Sequence, residues 1–402
     1  MKQYNKVTPD GTRDRLFDEC NVRESITNRL SSMFSLRGYR QVSTPAIEFY
    51  DVFANAAAHY PAEDMYKMSD TRGRLMVLRS DCTIPIARLA ATRLAGMPKP
   101  LRLYYNQNVY RVEHGMRGKS SEIFQTGVEL IGAGSLRGDL EIVELAASGL
   151  GEVCGMRGYR IELCHIGYFK ALMDNLDASL EKKEEIRQCI EQKNYALLRD
   201  LLEPFQKNRA AKALAYLPRL FGGVEVFDKA YELFDKDGAR DSLDSLKQIY
   251  CCLRELGLAE HVLIDLGLVN QAEYYTGMIF RGYLDGIGEP VLSGGRYDNL
   301  LSDFGTPTCA TGFAFQVDTI ADSMECRKPK APDILVFADD AHLSAAIHYC
   351  KSLTENGLTV ENAVFEDFDM AKGYARQAGI RELHVVDNEI EIIYLKGRGN
   401  AE

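Results

Sequence analysis

The chain has 402 residues, 46 % of them hydrophobic and 26 % charged, and a formal net charge of −10. That length exceeds one ordinary domain and is ample for a core that needs no disulfide or metal. The acidic balance argues against a nucleic-acid partner, because gripping a polyphosphate takes a basic face that displaces counterions.

The segment Met1–Asp10 has no apolar run of signal-peptide type, and no stretch is apolar for long enough to span a bilayer. Both point to the cytoplasm. The ten cysteines are scattered without C-x-x-C spacing, which argues against a disulfide or zinc framework. The adjacent pair Cys164-His165 reads as part of a strand rather than as metal ligands.

In chain order, Arg23–Arg37 has helical apolar spacing (Ile26, Leu30, Met33, Phe34) and leads into an extended run from Gln41. Strand patterns follow at Leu75–Leu78, Leu101–Glu113, Ile123–Ile131 and Tyr159–Cys164, with connections short enough for antiparallel pairing. From about 168 to 258 the pattern is helical, as in Leu180–Arg187 and Asn194–Leu202, and this stretch reads as an insertion. Strands resume at His261–Leu268, Gly277–Leu284 and Pro290–Ser293, and Gly294-Gly295 reads as a turn. The chain thus divides into a first domain, 1–325, and a small α/β domain, 331–402, with a linker between. The small domain alternates strand and helix, which predicts a parallel sheet. It holds six Lys/Arg against thirteen Asp/Glu, a net of −7.

Three clusters could carry chemistry. If Ile123–Ile131 is a strand, alternation places Gln125, Gly127 and Glu129 on one face, with Phe124, Thr126, Val128 and Leu130 on the other. Gly127 would leave room for a ligand, and a buried Glu129 would call for a cation. A plain solvent-facing polar side is the alternative. In Leu78-Arg-Ser-Asp-Cys-Thr83, Asp81 and Thr83 share a side of an extended chain. In Leu268–Gly277, Tyr274 and Tyr275 offer phenolic hydroxyls, although such pairs are more often packing. Arg111 either pairs with Glu113 or meets an anion, and Gly294–Asp298 reads as a turn with structural polar contacts.

These clusters, in this order, resemble the histidine pocket of class II histidyl-tRNA synthetases. The likeness runs through Pro9–Asp14, Met65–Arg79, the hairpin Tyr110–Gly132, Glu273–Gly277 and Ser293–Asp298. It implies an α+β fold with a six-stranded antiparallel sheet flanked by helices, and a dimer. It also implies that Asp81 (usually Glu in the family), Thr83 and Gln125 hold an α-amino group. Glu129 and Tyr275 would bracket an imidazole, with Tyr274 nearby.

The departures are equally specific. Adenylate formation needs cations on phosphate and carboxylate. Arg111 is kept, yet Asn270 stands where the family has an arginine, Thr319 where an arginine stacks on ATP, and Lys119 and Ser121 at further arginine positions. The C-terminal domain resembles a shortened anticodon-binding domain but is acidic.

A synthetase-like chain with this balance is similar to the regulatory subunits of short-form ATP phosphoribosyltransferase. That resemblance implies no catalysis of its own, no metal, L-histidine as effector rather than any cofactor, and neither tRNA nor membrane as partner. It further implies assembly with the short catalytic subunit as a hetero-octamer. The rival readings are a divergent histidyl-tRNA synthetase and a synthetase-like sensor or scaffold of another kind.

Overall fold

The computed structural model describes residues 4–54, 62–112, 120–236, 238–269, 275–324 and 330–395. The chain separates into two compact units, Met1–Glu325 and Cys326–Glu402.

The first unit opens with helix α1 (Asp18–Leu36), which buries Ile26, Leu30 and Phe34, one residue per helical turn along one face. Strand β1 (Arg40–Gln41) follows, then β2 (Ile47–Phe49), helix α2 (Tyr50–Ala54), β3 (Lys67–Ser69) and β4 (Leu75–Leu78). Strands β2, β4 and β3 form a small antiparallel sheet. Helix α3 (Thr83–Ala91) leads to the long hairpin β5 (Leu101–Tyr110) and β6 (Glu122–Ile131). After α4 (Leu136–Val153) and β7 (Tyr159–His165) comes the helical stretch α5 (Ile166–Asp174), α6 (Leu180–Glu191), α7 (Tyr195–Leu202) and α8 (Arg209–Tyr216). It continues through β8 (Phe221–Gly222), α9 (Glu225–Leu233) and α10 (Gly238–Glu255). The unit closes with β9 (Val262–Asp265), β10 (Met278–Leu284), β11 (Leu292–Arg296), β12 (Ala310–Gln316) and α11 (Val317–Asp322).

The main sheet has the order β1-β5-β6-β12-β11-β10-β7-β9-β8. Its six central strands, β5 to β7 in that order, are each antiparallel to the next, as the resemblance implies. Short strands extend both edges, β1 and β9 pairing in parallel.

Alternation along β6 sends Val128 and Leu130 to a core shared with α1 and α4, and Ile131 to a second core that includes Leu103, Tyr105 and residues of α3. The helical stretch does not form its own core. Ile186, Leu198, Leu214, Phe227 and Leu246 join the apolar cluster beneath the main sheet.

Two expectations about local structure are corrected. Gly294 and Gly295 do not form a turn; they lie inside β11, paired with Phe313 and Gly312. Close approach requires them: a Cβ on Gly295 would stand 2.8 Å from the Tyr275 ring. Asp81 and Thr83 are not in extended chain either. Thr83 opens α3, and the Asp81 carboxylate accepts the Ile84 N–H at 2.8 Å, satisfying one of the amides that a helix start leaves without a partner.

The second unit contains β13 (Ile334–Ala338), α12 (Leu343–Glu355), β14 (Val360–Asn362), α13 (Phe368–Ala378), β15 (Glu382–Val386) and β16 (Ile390–Tyr394). Strands β14, β13 and β15 are parallel, but β16 returns antiparallel, because the connection after Val386 is too short for a crossover. Asp367 caps α13 by accepting from the Asp369 and Met370 amides.

Candidate functional site

A cavity of about 150 Å³ lies over the face of the main sheet opposite α4. Asp81, Thr83, Arg111, Gln125, Glu129 and Tyr275 all line it. Tyr274, and with it Asn270, falls outside the described residues.

Glu129 is the centre of the arrangement. It sits mid-strand on β6, 1 % exposed, and its position is possible because the residue opposite on β12 is Gly312. A side chain at Gly312 would collide with the Glu129 carboxylate. One carboxylate oxygen accepts from the Thr83 hydroxyl at 2.7 Å, and the other accepts from the Tyr297 hydroxyl. Burial pushes its carboxyl up to about 8, a rise that the two hydroxyl donors partly offset and the neighbouring Asp81 increases. The cation expected against this carboxylate is replaced by two neutral donors.

Gly127 does not make space for a ligand, contrary to expectation. Tyr105, directly opposite on β5, fills that space: a Cβ on Gly127 would stand 2.5 Å from the Tyr105 hydroxyl oxygen. Gln125 lies on the same face, 4 % exposed, in register with Gln107 on β5 and Gln316 on β12. Tyr275 lays its ring over Gly295, and its backbone carbonyl accepts from Lys170 Nζ at 2.9 Å. Burial and the Asp81 and Glu129 charges raise the Tyr275 phenol above its ordinary range, so it stays a neutral donor.

Arg111 follows the end of β5. Its Nε donates to the Ser80 carbonyl at 2.9 Å, and it borders both the first cavity and a second, adjoining one of about 790 Å³. Glu113, the ion-pair partner considered for Arg111, lies outside the described residues, as does Lys119. The second cavity is lined by Arg13, Arg15, Asp318, Thr319 and Asp322 among others. Two of its cations are engaged by carboxylates: Arg15 meets Asp322 at 2.6 Å and Asp318 at 3.2 Å, and Arg13 meets Asp322 at 2.5 Å. The Pro9–Asp14 motif packs at this end, where Gly11 accepts the Ser121 N–H at 2.7 Å.

Two cavity residues escape the sequence reading. Tyr297 belongs to the stretch taken as a turn. Once Leu292–Arg296 is recognised as a strand, alternation carries Ser293, Gly295 and Tyr297 to the cavity face. Arg281 is the one charge within the apolar strand Met278–Leu284, on the same face as Ile279. The other polar contacts of this stretch are structural. Arg296 binds Asp139 at 2.8 Å and Asp298 at 3.0 Å, and donates to the Ala133 carbonyl. Cys164 and His165 do not act together: Cys164 is buried in the core, while His165 Nδ1 accepts the Gly167 N–H and caps α5.

A family model described as histidyl-tRNA synthetase matches residues 11–320. A protein of Clostridium kluyveri named ATP phosphoribosyltransferase regulatory subunit is 38 % identical over 393 residues, covering 96 % of this chain and 100 % of its own length. One of the same name from Clostridium acetobutylicum is 35 % identical and covers 98 % of both chains. A crystal structure from Bacillus halodurans, titled as an ATP phosphoribosyltransferase regulatory subunit/histidyl-tRNA synthetase, superimposes with a TM-score of 0.82 at 30 % identity, covering 92 % of this chain and 96 % of that one. The histidyl-tRNA synthetase of Nostoc shares the fold, with a TM-score of 0.76 at 18 % identity over 96 % of each chain. With this architecture, this cavity and near full-length likeness, the chain belongs to the ATP phosphoribosyltransferase regulatory subunits, a family built on the class II histidyl-tRNA synthetase fold.

Proposed function

We propose that the chain binds L-histidine in the first cavity and, in complex with a short-form ATP phosphoribosyltransferase catalytic subunit, both supports its activity and transmits inhibition by histidine. The observation that carries this reading is the environment of Glu129. A buried carboxylate, held by Thr83 and Tyr297 beside Tyr275, offers an acceptor to an imidazole N–H at the closed end of a small cavity. Asp81 and Gln125 supply acceptors for an ammonium group, and Thr83 and Tyr275 supply hydroxyls. The cavity's volume of about 150 Å³ is well below the roughly 300–1,000 Å³ typical of sites for drug-sized ligands.

The second cavity supports the absence of amino-acid activation. Adenylate chemistry needs positive charge that is available to phosphate. Here Arg13 and Arg15 are neutralised by Asp318 and Asp322, Thr319 offers no charge, and Arg111 at the boundary with the first cavity spends its Nε on the Ser80 carbonyl. Together with Asn270 in the sequence, this favours an effector site over an active site. The acidic second unit, net −7 over 331–402, is likewise poor chemistry for binding tRNA.

In this reading the partner is the catalytic subunit, in a hetero-octamer whose regulatory half contains dimers of this chain. The complex works in the cytoplasm and needs neither metal nor cofactor in this subunit. Inhibition requires histidine to bind the inhibited assembly more tightly than the active one, by about 1–3 kcal/mol of coupling. Two assays test the reading on the purified chain. Calorimetry should show L-histidine binding, and histidine-dependent exchange of pyrophosphate into ATP should give no signal above a blank. A clear exchange signal would make the chain a divergent histidyl-tRNA synthetase instead.

A further inference from the structure

Resting on the reading of the first cavity as an amino-acid site, we infer that Arg281 receives the ligand's carboxylate and so makes the pocket selective for a free α-amino acid.

The cavity has two cations, Arg111 and Arg281, against two carboxylates, Asp81 and Glu129. That balance fits a zwitterion whose two charged ends are held apart. The carboxylates gather at one end, where Asp81 precedes α3 and accepts from its Ile84 amide, and Glu129 lies opposite Gly312. Arg281 enters from three strands away: in register, Gly127 on β6 faces Ala314 on β12, which faces Ser293 on β11, which faces Arg281 on β10. Ala314 and Ser293 leave the sheet surface low between them, so a long side chain at 281 can lie along it toward the acceptors. Ser293 borders both cavities and adds a hydroxyl to their lining.

Arg281 is suited to this role by what surrounds it. It is half-buried, where a guanidinium meets a carboxylate with less screening than at the surface. Its cross-strand neighbour Glu162 pairs with Arg160 at 3.3 Å, and Arg281 forms no ion pair among the described residues. The Tyr283 hydroxyl lies between it and Glu162 and steadies the side chain, and Asp265 is a further carboxylate within reach of its charge. Arg111 is less suited, since its Nε is committed to the Ser80 carbonyl at the boundary with the second cavity. An activating enzyme must expose the carboxylate to phosphate chemistry. A sensor has no such need, and a fixed cation beneath the carboxylate holds it as a recognition element.

The test compares L-histidine with L-histidinol, which keeps the ammonium and the imidazole but replaces the carboxylate by a hydroxymethyl group. Calorimetry on the full chain should show histidine preferred by about ten- to a hundredfold, the range for a charged hydrogen bond. Arg281→Gln should remove most of that preference by weakening histidine alone, and Arg281→Lys should restore part of it. An undiminished preference in Arg281→Gln would move the carboxylate elsewhere and overturn the assignment, as would an equal loss for both ligands. A wild-type chain that binds neither ligand would overturn the amino-acid reading itself, and this assignment with it.

Discussion

Gly312 lies directly across from Glu129 on the neighbouring strand, and the absence of a side chain at 312 is what lets the Glu129 carboxylate lie against the sheet. The most informative glycine for the site is therefore one in β12, a strand that contributes no charged group to the cavity. Gly312→Ala should displace the carboxylate and lower histidine affinity at least tenfold. The overpacking should destabilise the fold by about 1–3 kcal/mol. Calorimetry and urea unfolding on the same variant check both numbers.

Glu129→Gln should weaken histidine binding by about 1–3 kcal/mol, because a charged acceptor becomes a neutral one. The fold should tolerate the change: the amide keeps one oxygen for a hydroxyl donor, the other hydroxyl turns to accept from the amide nitrogen, and a buried ionisable group is removed. Unaltered affinity in this variant would place the ligand elsewhere.

The raised Glu129 carboxyl gives stability a definite pH dependence. Its value is about 8 in the folded chain against an ordinary 4.5, so between those limits the folded state holds a proton that the unfolded state releases. Its contribution to stability is fully present below 4.5 and is lost as pH rises through about 8. Unfolding free energy of the wild-type chain should therefore fall relative to Glu129→Gln from pH 5 to pH 8. A difference that is flat across this range would contradict the assignment.

On the proposed function, the same proton would shape histidine binding. Near pH 7 the free pocket holds it on Glu129 and the ligand arrives with a neutral imidazole, so the pair needs no exchange with solvent to form carboxylate and imidazolium. Below the free imidazole's ordinary value of about 6.5 binding must release a proton, and above about 8 it must take one up. Affinity should be greatest between these values and fall on both sides. Titrations in buffers of different ionisation enthalpy would measure the proton traffic directly.

Asp139→Ala should destabilise the fold by about 1–3 kcal/mol, because Arg296 keeps Asp298 but loses its closer, buried partner. Thermal unfolding measures that loss. Histidine binding should persist in whatever fraction stays folded, since neither residue lines the cavity.

Much of this was legible in the chain itself. Alternation placed Gln125 and Glu129 together, and helical spacing picked out Ile26, Leu30, Met33 and Phe34 on α1, all buried except the partly buried Met33. What escaped depended on pairing between distant segments. Nothing near Gly127 in sequence says that Tyr105 fills the space above it, and nothing near Glu129 says that Gly312 makes its room. The Gly294-Gly295 pair misled for a related reason: glycine serves both sharp turns and close packing, and only the neighbouring strand decides between them. Misreading that pair also broke the alternation that would have brought Tyr297 into the site.

The regulatory reading is tested most directly by assaying a short-form ATP phosphoribosyltransferase catalytic subunit with this chain, with its Glu129→Gln variant, and with neither, while L-histidine is titrated. Both forms of the chain should raise the rate, and only the wild-type complex should be inhibited at low histidine, with the variant requiring about five- to a hundredfold more. Failure of the wild-type chain to raise the rate, or equal histidine sensitivity in both complexes, would contradict the proposed function.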